Sequence, residues 1–499
     1  MKIKLSLPIL FTSISLSLSS FATDFSAVEQ LINETKAVTN LPAGTAIAVV
    51  KDNEIIYQGY FGYADIANAK KVDANTSFYI ASITKPYFAL SMLLKETQGQ
   101  LSENSDLQAL FPSSKFSGFD ASKVTVKQLL SHTMGIDNKP LVMATAYTGL
   151  HDKKVRQYLV DKSYLNEEFP LGTFDYSNVG YNILSVWSDK ADKKPWQDML
   201  KKTVLAPLQT THSSAYISDT NNDTWQLAKP YSIFNGKDKP LYLQKQDNTM
   251  HAAGGMISSA KDMANFLMVQ LNQGKLNGKQ VFPSSVIAKS QQKIAEVDSH
   301  YGDFKRKGYA WGWYIGPYMN ETMYHHFGGY AGSYSHLSFM PEKGLGVVIL
   351  NNEDMLSSKL TAAVAKSIYA KLLNKPEAIA EAQAMATAVQ KNVAQLPGHI
   401  KKRQAKMAQR KWQLSLAKSA YQGIYQHPEF GQVNINHNDL DQLVVSWGQT
   451  HAIATAFTKP ETMRVELIPN SGEIIAFQLA DKKVIGFTYN KAKFDKLIN

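Results

Sequence analysis

The wide separation of the strand-like runs constrains this chain more than any other feature. Residues 45–51 and 54–59 are strand-like and flank Asp52-Asn53, a hairpin signal, and 77–80 form a further short run. From about 100 to 250 the sequence breaks into short helical pieces separated by Pro, Gly and Asn, and no strand pattern dominates. Strands resume over 309–315, 322–327, 333–340 and 345–350, and a helix over 358–373 closes the region. Strands at both ends with a helical block between them predict one antiparallel sheet completed by distant segments, an α/β (α+β) arrangement with an inserted helical domain and a cleft between the two parts. Beyond Pro376 an Ala/Gln/Lys-rich helical stretch runs to about 418. Short strands then recur about every ten residues (423–425, 432–435, 443–447, 463–467, 474–479, 484–489), the pattern of a small β barrel or sandwich. At 499 residues the chain exceeds the roughly 250–300 that one core can serve, so several domains are expected.

Composition removes whole classes of chemistry. The chain has no cysteine, which excludes zinc ribbons, iron–sulfur centres, thiol nucleophiles, disulfide scaffolds and a lipid-modified N-terminus. Its net charge of +11 is concentrated: eight Lys/Arg and no acid lie between 391 and 418, and Lys2 and Lys4 add two more. The remainder is close to neutral, so a nucleic-acid partner is not expected. Lys2 and Lys4 precede an apolar, Ser-containing run from Leu5 to Leu18 and a small-residue site at Ser20-Phe21-Ala22. This predicts a secretion signal over 1–22 and a soluble periplasmic or extracellular product. The basic segment 391–418 reads as a solvated connector, or as an attachment to an anionic envelope polymer or membrane surface.

No Ser has Gly at both −2 and +2, and neither H-E-x-x-H nor G-x-x-x-x-G-K-[ST] occurs, so α/β-hydrolase elbows, zincins and P-loops fall away. Ser82-Ile83-Thr84-Lys85 remains, a Ser with an amine one helical turn on, where the two side chains share a face. The same spacing starts at Ser258, Ser290 and Ser415, but only Ser82 follows a strand-like run and opens a long amphipathic helix, with Pro86 in its first turn. Tyr176-Ser177-Asn178 follows a Pro/Gly turn and precedes a helix; a phenol near Lys85 could share a proton with Ser82, and the bland alternative is a capping Asn beside a core Tyr. His326-Phe327-Gly328-Gly329 ends a strand. Its glycines can admit a substrate backbone along an edge and free an N–H for an oxyanion, or can simply form a turn. His300-Tyr301-Gly302 repeats the pattern in a polar, basic loop.

In this order Ser82-x-x-Lys85, Tyr176-x-Asn178 and His326-x-Gly328 resemble the three motifs of the penicillin-recognising serine hydrolases, which include class C β-lactamases, DD-carboxypeptidases, D-aminopeptidases and esterases. Residues 129–136, 253–258 and 345–352 also look like family segments, so the resemblance covers about 25–373. The C-terminal strands are similar to the lipocalin-like domain appended to such enzymes. The implied organisation is a signal at 1–22, a hydrolase domain at 23–374 with its helical insertion at about 100–250, a basic helical linker at 375–418 and a β barrel at 419–499.

The resemblance implies that Ser82 is an acylated nucleophile and that Lys85 and Tyr176 transfer protons. It assigns Asn178, His326, Gly328 and Gly329 to substrate binding, and the N–H groups of Ser82 and Gly329 to an oxyanion hole. It implies neither cofactor nor metal, and leaves His132 structural. Class C β-lactamases carry Lys-Thr-Gly where this chain has His-Phe-Gly, and a neutral His anchors a carboxylate less well, so β-lactam hydrolysis is disfavoured. A peptidase of the DD-carboxypeptidase or D-aminopeptidase type is the leading expectation for a small peptide or amide substrate. A carboxylesterase, a β-lactamase and a catalytically weak envelope-binding protein are the alternatives. Phe327, in place of a small Thr or Ser, is expected to narrow the cleft and favour an ester or apolar amide.

Overall fold

The computed structural model describes residues 23–236 and 238–497, so the expected secretion signal at 1–22 lies outside the described residues. Eight strands make the main sheet: β1 (Thr45–Lys51), β2 (Glu54–Phe61), β3 (Ala295–Tyr301), β4 (Phe304–Tyr309), β5 (Tyr314–Tyr318), β6 (Glu321–Tyr330), β7 (Ser333–Met340) and β8 (Leu345–Asn351). Their spatial order is β3-β4-β5-β6-β7-β8-β1-β2, with every neighbouring pair antiparallel. The expected closure by distant segments is the β1–β8 ladder, in which Thr45 faces Asn351 and Lys51 faces Leu345.

The two-residue period of β1 explains the layers. Ile47 and Val49 join Val347, Ile349, Val364 and Ile368 on one face, where α1 (Ser26–Thr39) and α5 (Ser357–Leu372) pack. Ala46, Ala48 and Val50 face the other way with Val348 and Leu350, against Phe266 and Leu267 of α4 (Ala260–Leu271). Small residues on that side let α4 lie close: a side chain at Gly346 would press on Leu267. The helical block also includes α2 (Thr84–Thr97) and α3 (Val179–Asp192), which share its core through Phe88, Leu90, Tyr181 and Leu184.

Two readings of the sequence shift. A strand expected over 309–315 is divided, because Ala310–Trp313 forms a tight turn in which the Ala310 N–H donates to the Trp313 carbonyl at 2.8 Å. Gly312 has φ +87°, and a Cβ there would strike Pro86 on α2. The polar stretch around His300 is the tip of the β3–β4 hairpin.

Helix α6 (Pro376–Ala408) buries Ala382, Val389 and Val393, while Lys391, Lys401, Lys402, Arg403 and Lys406 are exposed. Two residues of the basic segment are tied to the C-terminal part, Arg403 to Glu466 on a strand at 3.4 Å and Lys418 to Asp441 in a turn at 2.7 Å. From Gly423 to Lys496, nine antiparallel strands curl into a nearly closed barrel around Tyr425, Val445, Trp447, Phe487 and Phe494. Among the described residues no helix is long and apolar enough to cross a membrane.

Candidate active site

Ser82 lies on a single 3-10 turn, Ala81–Ile83, that runs straight into α2. Its predecessor Ala81 has φ +47°, a left-handed conformation that costs an L-residue roughly 1 kcal/mol or more. Three contacts fix the backbone just ahead of it. The Ile80 N–H donates to the Met256 carbonyl at 3.0 Å, and the Ser335 hydroxyl donates to the Ile80 carbonyl at 2.8 Å. Strand β6 presses Gly328 so near that a Cβ would overlap the Ile80 oxygen. The third-motif glycine is thus needed for the strand to reach the serine turn.

Lys85 is fully buried, and burial pushes its ammonium well below the ordinary lysine value. Its Nζ lies 2.8 Å from Asn178 Oδ1, 2.8 Å from the Ala253 carbonyl and 3.1 Å from Ser82 Oγ. A neutral amine has two hydrogens and one lone pair. Asn178 Oδ1 and the Ala253 carbonyl can only accept, so each takes a hydrogen; toward Ser82 Oγ an ammonium donates its third hydrogen, and once that proton is lost the same contact aims the lone pair at the hydroxyl. The Lys85 nitrogen also sits 4.8 Å from the centre of the Tyr176 ring.

Tyr176 is 38% exposed along its ring, while its hydroxyl end turns inward toward Ser82. Burial of that end and the neighbouring Tyr314 raise the phenol well above its ordinary pKa, so it carries its proton at neutral pH. His132 holds this segment in place. Its Nδ1 accepts the Ser177 N–H at 3.1 Å, which leaves Nε2–H to donate to the Tyr309 hydroxyl at 3.1 Å, and its ring lies 4.6 Å from that of Tyr176. The structural role expected for His132 is therefore direct support of the second motif.

His326 is 2% exposed, and burial depresses its pKa well below the ordinary value, with Lys85 a smaller cause. Its Nδ1–H donates to the Phe327 carbonyl at 2.7 Å, so Nε2 is a bare acceptor with no hydrogen-bond partner among the described residues. In this tautomer it can receive a substrate N–H or O–H but offers nothing to a carboxylate. Strand β6 pairs with β5 only as far as His325 opposite Tyr314, so 326–330 keep a free edge on that side. Gly329 on this edge is exposed, and a Cβ there would meet only Tyr334 at 3.9 Å. Phe327 corrects the sequence reading. It points to the opposite face of the sheet, 4.4 Å from Tyr301, 4.7 Å from His336 and 5.2 Å from Phe304 by ring centres, and does not narrow the cleft.

Two side chains near this group escaped the sequence reading. Tyr314 stacks 5.9 Å from Tyr176 and 5.6 Å from His326. Arg306 lies with its guanidinium carbon 3.7 Å from the Tyr314 ring centre, and its charge reaches Tyr176 and His326. No carboxylate pairs with Arg306 among the described residues, and its buried Nε has no hydrogen-bond partner. It hides in the run Lys305-Arg306-Lys307, which reads as a solvated surface; only a strand alternation through 304–309 could have turned it inward. Among the described residues no three His, Asp or Glu side chains converge as a metal site.

The family model described as Beta-lactamase matches residues 35–367. Protein flp of Staphylococcus aureus (strain N315) is 24% identical over 353 residues, which is 70% of this chain and 66% of flp, so the chain spans just under two thirds of that relative's length. A penicillin-binding protein of Bacillus subtilis (strain 168) is 30% identical over 181 residues, 35% of this chain and 38% of that protein. Among solved structures, the octameric penicillin-binding protein homologue from Pyrococcus abyssi superposes with a TM-score of 0.59 at 20% identity, covering 95% of this chain and 100% of that one. That likeness extends over both the main sheet and the C-terminal barrel.

Proposed function

This chain belongs to the β-lactamase family of serine hydrolases, and from that premise we propose that it is an exported peptidase or amidohydrolase acting through an acyl-enzyme on Ser82. The observation that carries the proposal is the hydrogen-bond geometry of Lys85. With both amine hydrogens held by Asn178 and Ala253, its lone pair takes the Ser82 proton as Oγ attacks the substrate carbonyl. The developing oxyanion is received by the N–H groups of Ser82 and Gly329. Tyr176, kept protonated, passes a proton to the departing amine. In the second half a water takes the amine's place, its proton returns by the same route, and the acyl group leaves as an acid. Asn178 holds Lys85, and His326 Nε2 accepts a substrate N–H along the free edge of β6.

Arg306 favours a peptide over a neutral ester. An unpaired, half-buried guanidinium beside the edge where a substrate would lie suits a free carboxylate on the leaving residue. Phe327, turned away from the cleft, no longer argues for an apolar ester. The test is incubation of the protein with a fluorescent penicillin and with an aryl acetate. A covalent adduct and turnover, both abolished in Ser82→Ala, are expected. Absence of both, with Ser82→Ala indistinguishable from the parent, would sink the proposal.

A further inference from the structure

A cavity of about 340 Å³ adjoins the second motif, and the barrel supplies five of its fourteen lining residues. On the hydrolase side it is lined by Tyr176, Ser177, Asn178 and Val179, with Val142, Met143 and Tyr147 from the helical block. On the barrel side it is lined by Phe430, Trp447, Tyr489, Asn490 and Ala492. We infer that this cavity is a substrate subsite built jointly by the two parts of the chain, and that it receives a large apolar side chain, aromatic or branched, on the acyl side of the scissile bond. The inference rests on the serine hydrolase reading above and adds the identity of the group that the site selects.

Three observations support it. The first is chemistry: aromatic and aliphatic side chains dominate the lining, and its two charged members, Asp137 and Lys139, face each other at 3.9 Å. The second is rigidity. The Trp447 indole N–H donates to the Phe430 carbonyl at 2.9 Å, and the Trp447 ring packs 5.5 Å from Tyr489 and 5.9 Å from Phe430, so the barrel wall is set before anything binds. The third is seating. The turn after Trp447 rests on the helical block through the Gln449 N–H, which donates to the Thr148 carbonyl at 2.9 Å, and Gly448, with φ +56°, has no room for a Cβ against that same carbonyl. Gln449 also donates to Gln246 Oε1 at 2.9 Å. The location sets the occupant. Asn178 and Tyr176 touch both the cavity and the Ser82–Lys85 pair, whereas Arg306, over the Tyr314 ring, lies outside the cavity's lining. A substrate spanning the site would therefore place its leaving carboxylate toward Arg306 and its acyl residue toward the barrel.

The test compares kcat/KM for the aryl esters of acetic acid and of 3-phenylpropanoic acid, which share a leaving group and differ only in the acyl part. Ala492→Phe fills the cavity from the barrel wall, and Val142→Phe fills it from the opposite wall. Each is checked for a native thermal transition, and either alone suffices if the other fails to fold. The expected result is a fall of roughly tenfold or more in the preference for the phenylpropanoyl ester, with Ala492→Phe as effective as Val142→Phe. A preference unchanged in both variants overturns the subsite while leaving the hydrolase reading intact. A change confined to Val142→Phe overturns the barrel's share in it. A parent protein that hydrolyses neither ester overturns the hydrolase reading and the subsite together.

Discussion

At the residue scale, the site depends on close approach as much as on reactive groups. Gly328 makes the point, since any side chain there meets the Ile80 carbonyl two residues before Ser82. Gly328→Ala should destabilise the protein by about 1–3 kcal/mol and lower kcat, because relieving the overlap moves the serine turn; thermal melts and single-turnover kinetics read the two effects. Arg306→Gln is expected to raise KM for a substrate with a free carboxylate on the order of 10- to 100-fold while sparing its methyl ester, as loss of a charge-assisted bond would. An equal loss on both substrates would remove Arg306 from carboxylate recognition. In the proposed mechanism Lys85 sets the pH dependence of catalysis. A base whose pKa is lowered by burial becomes active below the ordinary lysine range, so kcat/KM should rise with pH through that depressed value and then level off. Lys85→Arg, which cannot lose its proton, should show no such limb.

At the element scale, the barrel is held to the helical block by a few specific contacts. Gly448 is the tightest, so Gly448→Ala should unseat the 447–450 turn and speed cleavage in limited proteolysis without changing the melting of the barrel core. Sequence patterning reached most elements. The β1 run is almost unbroken apolar and the barrel strands show period-two alternation, which carry their own signal. It was weaker where a strand's pattern answers to partners rather than to water. β4 alternates Lys, Arg and Lys on an outer hairpin, and the Trp311-Gly312-Trp313 turn looks apolar enough to be strand until Pro86 lies against it. The motif residues Ser82, Lys85, Tyr176, Asn178 and His326 were legible because each lies in a short local pattern. The direction of Phe327 was not, since side-chain parity along β6 is fixed by register with β7, Phe327 opposite His336. Nor could local pattern place the mouth of a barrel 250 residues downstream beside Tyr176.

At the scale of the whole molecule, five buried histidines, His132, His251, His325, His326 and His336, are all held below the ordinary imidazole value by burial, His336 down to about 3. As pH falls below about 6.5 the unfolded chain takes up protons that the folded chain refuses. Each group should then cost up to about 1.4 kcal/mol per pH unit until its folded pKa is reached. The melting temperature is expected to fall steeply between pH 6.5 and 4, and a flat profile there would show that these imidazoles remain accessible to protons.

The ladder that pairs Thr45 with Asn351 has a different kind of consequence, one of timing. β1, with six of its seven residues buried, is made early and waits for a partner that is synthesised some 300 residues later. Until β8 emerges, β1 is paired along one edge only, with β2, and its other edge is open. Because Gly328 and Ser335 brace the serine turn from strands in the same sheet, the proposed nucleophile is expected to be set only with this late closure. Chains truncated before residue 345 should therefore be insoluble as well as inactive, which expression of a truncation series would read directly.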